Sequence, residues 1–581
     1  MSLSKKRSAI SLIVFILSLL VLPVSSFADL PDDQRSFFVD PQYNIQRMGE
    51  VSATQRQISE KAYFYVSDQW WSELTEEDQR KADHYLASLA REFDDNIYPV
   101  LTSSYGEEWN PGIDKDDRIT ILLYPMKEGV GGYFRFVDEY PRLYNPRSNV
   151  REMIYVNVDF LMGHYIKSLV AHEFTHLITF NQKEKLRGIS EETWLNEARA
   201  EYASTLTGYD KIYEGSNLQK RTKIFLHNSS DSIVGWTDKV EDYGGLNLFT
   251  QYLTEHYGKE ILIDSLQSGA SGIASINQAL IKNGFKEDFA QIFTDWGIAV
   301  YINDCSLDTK YCYLNQALKD LHVIPETNFL PLRKKSQLSA DGEIGNWSLK
   351  WIRFIGGEGD LRIEFIGSSE NLFNIPYVIK DREGEWEIKF LSLDEYQKGE
   401  LLIPGFGSEK YSVTILPSIQ SKVSGFNGQE NKYPFSWEAT ADPRLEQMRM
   451  IEELRKRIRL LEEEIVILKG KIITVLIEQE GIEIESFGEN LYLGIKDSDQ
   501  VRALQIFLKV EGGDIFPNGL ITGNFSDLTQ QAVSRFQEKY AKEILEPLNL
   551  SKGTGYFGPQ TRKEVNRLLF SSEEIIESSN S

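Results

Sequence analysis

Apolar positions change their period several times along this chain, and each change marks a candidate element. Ile10 to Val24 is an apolar run too short for a comfortable membrane span, preceded by Lys5-Lys6-Arg7 and followed by small residues around Ser26-Phe27-Ala28. Residues 1–28 therefore read as a secretory signal peptide, with an uncleaved anchor as the alternative. Either way the positive-inside rule puts the rest of the chain outside the cytoplasm. From about 36 to 160, the runs 61–66, 118–124 and 153–158 are β-branched and aromatic and predict strands, whereas 76–93 has helical spacing. From 161 to about 330 the spacing is mostly helical. A strand-rich lobe followed by a helical lobe predicts an α+β domain over 29–335 with a cleft between its halves.

From 336 to 440 the period becomes two. The runs 349–354, 361–365, 386–390 and 411–416, separated by Gly-containing turns, predict a β-sandwich. After Pro443 a heptad pattern begins, with Ile451, Ile458, Ile465 and Ile472 at one core position and Leu454, Leu461, Leu468 and Val475 at the other. Ile and Leu in those places favour a parallel two-stranded coiled coil over 443–480, hence a homodimer through 451–475. Arg457 would then face Glu462 of a partner chain, and Glu464 would face Lys469. The alternative is a lone helix folded back on the β-domain.

Residues 485–570 contain a diverged internal repeat. Gly523-Asn524-Phe525-Ser526-Asp527-Leu528-Thr529, leading to Phe536-Gln537, is echoed by Gly555-Tyr556-Phe557-Gly558-Pro559-Gln560-Thr561. In each copy a Gly turn and a Thr cap precede an amphipathic helix, and with an earlier helix at 501–508 they predict a small three-helix domain. The Ser/Glu-rich 571–581 is expected to be a disordered tail.

Charge and cysteines narrow the function. The net charge is −24 and no basic stripe is long enough to follow phosphates, which argues against nucleic acid as a partner. Cys305 and Cys312 are the two cysteines, and in an oxidising compartment they are expected to form a disulfide.

The chemistry concentrates at His172-Glu173-Phe174-Thr175-His176. Positions i and i+4 share a helix face, so both imidazoles can reach one metal ion with Glu173 beside them. With seven His in 581 residues, chance is a poor explanation. A hydrolytic zinc site needs a third protein ligand and an open position. Trp194-Leu195-Asn196-Glu197 offers Glu197 on a second helix, and Glu201, one turn on, can accept the free N–H of a ligand histidine. Asp114, Asp116 and Asp117 have the acidity of a calcium loop but lack its turn Gly and bidentate Glu, so an ordinary acidic turn is expected there, with calcium as the alternative.

His172-Glu173-Phe174-Thr175-His176 followed by Trp194-Leu195-Asn196-Glu197-x-x-x-Glu201 resembles the thermolysin-type clan of zinc peptidases, the gluzincins, and within it the hyicolysin-like neutral metallopeptidases. The resemblance covers roughly 110–260, including Gly131-Gly132-Tyr133-Phe134 and Tyr243-Gly244-Gly245-x-x-Leu248-Phe249. It implies a gluzincin-type α+β domain with His172, His176 and Glu197 on zinc, Glu173 as the base and Tyr243 as donor to the oxyanion. Tyr209 and His227 are the alternatives to Tyr243. Ala198-Arg199 departs from the family's pattern of Gly and a small residue, which puts the shape of the pocket in doubt. The C-terminal repeat resembles the peptidoglycan-binding domain of wall enzymes, over nearly all of 498–569.

The expectation is a multidomain, secreted or envelope-associated zinc metalloendopeptidase that cleaves polypeptide and is held at the cell wall. A catalytically inactive wall-binding scaffold or adhesin is the alternative from another class. A third reading is a peptidase acting on peptidoglycan stem peptides.

Overall fold

The computed structural model describes residues 29, 32–332, 334–426, 428–517 and 519–570. The signal-peptide and tail expectations lie outside these residues. The chain divides into two compact units, Met1–Arg444 and Leu445–Ser581.

The first unit begins with a six-stranded sheet: β1 (Gln34–Phe38), β2 (Glu50–Ile58), β3 (Ala62–Ser67), β4 (Ile119–Tyr124), β5 (Gly132–Phe134) and β6 (Met153–Asn157). Their order across the sheet is β1-β2-β3-β4-β6-β5. The central β3, β4 and β6 run parallel and are buried at every position, which explains their continuous apolar and aromatic composition. Phe64, Ile121 and Val156 face a core shared with helices Glu76–Glu92 and Ile166–Thr179, while Tyr65, Leu122 and Tyr155 face Phe37 and Val51 on the opposite side. The short β5 is antiparallel to β6 and forms an edge of the sheet.

A helical lobe follows, with Ile166–Thr179, Thr193–Leu206, Asn217–His227, Asp242–Tyr257 and Phe289–Ile302 as its main helices. Just after the last of these, Cys305 and Cys312 are joined by the expected disulfide, their Cα atoms 5.1 Å apart.

The strands that follow are β7 (Glu326–Leu330), β8 (Ser336–Gly345), β9 (Ile352–Gly356), β10 (Gly359–Gly367), β11 (Phe373–Asn374), β12 (Pro376–Asp381), β13 (Trp386–Phe390), β14 (Lys398–Phe406), β15 (Lys410–Ile415), β16 (Ser418–Ile419) and β17 (Lys432–Asp442). Two layers result, β7-β9-β15-β12-β13 and β14-β10-β17-β8, whose strands pair with each other, among the described residues, where β14 meets β15 at Phe406 and Lys410. Phe354 of one layer meets Trp437 of the other edge to face, with ring centroids 4.9 Å apart. The boundary expected at 336 falls earlier, because β7 already pairs with β9. The break is also less complete than expected: Trp347, Leu349 and Trp351 belong to the core of the helical lobe, and Trp351 Nε1 donates to the Gly297 carbonyl.

The second unit takes most of helix Pro443–Gln479, followed by the helices Asp499–Glu511, Asp527–Lys539 and Pro559–Phe570 and a short one at Ala541–Ile544. The internal repeat is visible as a repeated hydrogen-bond pattern. Gln505 accepts from the Thr522 and Gly523 amides and donates to Thr529 Oγ1 and the Asn524 carbonyl. Gln537 accepts from Thr554 and Gly555 and donates to Thr561 Oγ1 and the Tyr556 carbonyl. One buried amide thus ties each Gly turn to the helix that follows it. Among the described residues no helix is long and apolar enough to cross a membrane.

Candidate metal centre

The helix Ile166–Thr179 is buried around nearly its whole circumference, which is why its sequence is apolar on every side of the histidines. Phe174 anchors it by stacking on Tyr98 and meeting Phe93 edge-on, at 5.5 and 5.2 Å between ring centroids. The chain then passes through a π-helical turn and reverses at Gly188, whose φ of +67° favours glycine. Helix Thr193–Leu206 returns alongside and brings Glu197 back to the histidines, as the spacing predicts.

His172, His176 and Glu197 each offer a ligand atom, and these atoms lie within 4.8 Å of one another; no other such group occurs among the described residues. Glu197 is 3.2 Å from His172 Nε2 and 3.6 Å from His176 Nε2. The other nitrogen of His172, Nδ1, faces Glu201 at 3.4 Å. An N–H given to Glu201 leaves Nε2 as a lone pair directed at a carboxylate oxygen, and two such atoms at that distance fit a cation between them. Among the described residues the buried Glu197 Oε2 and Glu173 Oε2 also lack hydrogen-bond partners. This donor set fits a zinc ion.

Electrostatics separate the four acidic and basic partners. Burial alone would push His172 down, but with no cation between them the nearby carboxylates of Glu197, Glu201 and Glu173 raise it to about 10. Burial lowers His176. Burial pushes Glu173 up to about 8, with His172 opposing and Glu197 and Glu201 adding to the rise. Burial would also raise Glu201, but Arg221 and His172 hold it well below the usual carboxylate range. Arg221 donates to both oxygens of Glu201 at 2.7 and 2.8 Å, and Asn217 and Asn247 donate to Oε2.

The site opens into a cleft of about 430 Å³ whose lining includes Gly132, Phe134, Phe180, Tyr43 and Tyr243. Gly132 is required by proximity: a Cβ there would meet the Tyr155 carbonyl at 2.6 Å and Glu173 Oε1 at 2.8 Å, so β5 can pass over Glu173 only as glycine. Tyr243 stands 6.4 Å from the His172 ring, with the Arg221 guanidinium over its own ring at 4.3 Å. Burial, with Glu197 close by, raises its hydroxyl far above the usual range. The alternatives do not reach the cleft. Tyr209 donates to Glu92, and His227 is exposed at the end of its helix.

Arg199, the departure from the family pattern, points elsewhere. It is fully buried, donating to Glu191 at 2.7 Å and to Ser265 Oγ at 2.8 Å, and does not line the cleft. Arg221, Asn217, Asn247 and Tyr43 escaped the sequence reading: Asn217 and Arg221 share helix Asn217–His227, Asn247 fills an unspecified position between Gly245 and Leu248, and Tyr43 comes from far upstream.

A second acidic group lies where the expected acidic turn folds. Asp114 accepts from the Asp116 amide, Asp116 accepts from Tyr63, and Asp117 is exposed, so these three carboxylates do not converge. Glu152 accepts from the Ile113 amide at 2.7 Å, and its Oε2 occupies the space a Cβ on Gly112 would take. Glu139 is buried beside it, and among the described residues no N–H or hydroxyl donates to either of its oxygens. Burial, followed by Asp114, pushes Glu152 up to about 7; burial and then Glu152 push Glu139 well above its usual value.

Residues 497–543 match the family model described as a putative peptidoglycan binding domain. No curated protein matches the chain. Among solved structures, the pre-peptidase C-terminal domain of a collagenase from Bacillus anthracis is similar at 8% identity, covering 20% of this chain and 96% of that one, with a TM-score of 0.15.

Proposed function

We propose that the chain is a zinc-dependent metallopeptidase of gluzincin type that hydrolyses polypeptide at the cell wall. The observation that carries this reading is the convergence of His172, His176 and Glu197 in an open cleft, with Glu173 beside them holding an unpartnered oxygen. Zinc held by those three side chains supplies Lewis acidity to water and to a peptide carbonyl. Glu173 takes a proton at its free carboxylate oxygen and returns it to the departing amine. Tyr243 donates to the oxyanion. Glu201, fixed by Arg221, orients the His172 ring. The free edge of β5 pairs with an extended substrate; β6 is already paired on both sides, which leaves β5 as the strand for this role.

The match at 497–543 supports attachment to peptidoglycan, and with it a second reading in which the cleft cuts wall stem peptides. Digestion of casein beside purified peptidoglycan separates the two, with metal content measured on the same protein. The expected result is bound zinc and casein cleavage, with activity falling roughly 10²–10⁴-fold in Glu173→Gln while zinc stays bound. Bound zinc with no turnover of either substrate would sink the enzymatic reading in favour of a wall-binding scaffold.

A further inference from the structure

Helix Pro443–Gln479 has two apolar faces, and the fold of its own chain uses one. Gly470, Ile473 and Ile477 are buried in the second unit, where Gly470 lies close to the Leu568 and Leu569 carbonyls. The other face carries the heptad positions. Ile451, Ile458, Ile465 and Ile472 alternate along it with Leu454, Leu461, Leu468 and Val475, and all eight remain between 43% and 60% exposed. This stripe runs for about 40 Å at 1.5 Å per residue. An apolar surface so long and regular is costly to leave in water.

We propose that this face is covered by the same face of a second copy, in a parallel two-stranded coiled coil. The side chains select that occupant. β-Branched Ile at one core position and Leu at the other pack best in a parallel pair. The flanking charges agree: in that register Arg457 meets Glu462 of the second copy, and Glu464 meets Lys469. Arg457, Glu462 and Glu464 form no ion pair within their own chain among the described residues. Lys469 already lies 3.6 Å from Glu511 and is one-third exposed, so the register asks it to serve two carboxylates. The pairing is independent of the reading of the metal centre, since none of its residues belongs to the first unit.

The test is the mass of the purified full chain by sedimentation equilibrium at micromolar concentration, together with two variants. The expected mass is that of two chains, falling to one in the double variant Ile458→Glu with Leu461→Glu. Both of those side chains are half-exposed and outside the buried core of the second unit, so circular dichroism should show its helices retained. Leu454→Cys fixes orientation, because Cys305 and Cys312 are bonded to each other and a new thiol can couple only between chains. A parallel pair in register gives a reductant-sensitive cross-linked dimer. One-chain mass in the unaltered protein overturns the proposal, as does a two-chain mass that survives the double variant. A dimer lost in the double variant but never cross-linked through Leu454→Cys overturns the parallel arrangement.

Discussion

Two groups of buried carboxylates in the first unit are shifted in opposite directions. Glu201 beneath the histidines is 1% exposed, and Glu139 and Glu152 near the 108–117 loop are each 2% exposed. Desolvation therefore raises all three. Glu201 is nonetheless held well below the usual range by the charge of Arg221 and by hydrogen bonds from His172 and Arg221. Glu152 has one backbone N–H and Glu139 has none, and both rise. Burial is the same; the neighbouring charges, with the donors they bring, decide the sign. The first group is a carboxylate held toward its charged form beside a histidine, and the second is a pair pushed toward its protonated form.

Breaking the first group has the larger effect. Arg221→Met leaves Glu201 buried without its cation, at a cost of about 3–5 kcal/mol in stability. It also frees the His172 ring to turn, so zinc affinity should fall roughly 10–100-fold. Thermal unfolding with and without a chelator, and zinc titration against a competing dye, read the two effects separately. Unchanged zinc affinity in a folded Arg221→Met protein would mean that Glu201 does not position His172.

The contrast also shows what a sequence discloses. His172, Glu173, His176, Glu197 and Glu201 lie on two helices whose internal spacing is local, so one turn of helical geometry was enough to place them on common faces. The disulfide and the repeat around Gly523 and Gly555 were legible for the same reason. Arg221 and Asn247 reach Glu201 from other helices; nothing within a few residues of Arg221 marks it, and Asn247 sits at a position the Tyr243–Phe249 motif leaves open. The acidic turn at 114–117 folds as the ordinary turn expected there. Its own carboxylates disperse, and the acids that do gather beside Asp114 come from 139 and 152. The boundary at 336 failed because β7 pairs with a strand that comes after it, and a period-two pattern does not reveal its partner.

The second group gives the middle-sized effect, and it depends on pH. Glu139 and Glu152 are raised, so the folded protein keeps a proton that the unfolded chain loses near pH 4.3. Folding is then fully supported below that pH and loses support as pH rises toward about 7, the folded value of Glu152. Glu139→Gln removes one acid and supplies an amide that can donate to Glu152. The variant should be more stable than the unaltered protein by on the order of 2–3 kcal/mol at pH 8, with the difference fading toward pH 4. Unfolding midpoints from pH 4 to 8 at fixed zinc and salt measure it, and parallel profiles for the two proteins would refute the shared proton.

Lys185 should give the smallest effect and sharpens the contrast with Arg221. It is the cation whose charge lowers Glu139, as Arg221 lowers Glu201, but it is exposed and makes no hydrogen bond to either glutamate among the described residues. Water and salt screen it where the Arg221 guanidinium is sealed in. Removing it in Lys185→Met should raise Glu139 and Glu152 further and lower stability at pH 8 by less than about 1 kcal/mol. The loss should shrink in high salt and vanish near pH 4, where both glutamates are protonated in either state. A loss as large as that of Arg221→Met, or one insensitive to salt, would show that Lys185 acts as a buried partner and that the two groups differ less than their hydrogen bonds indicate.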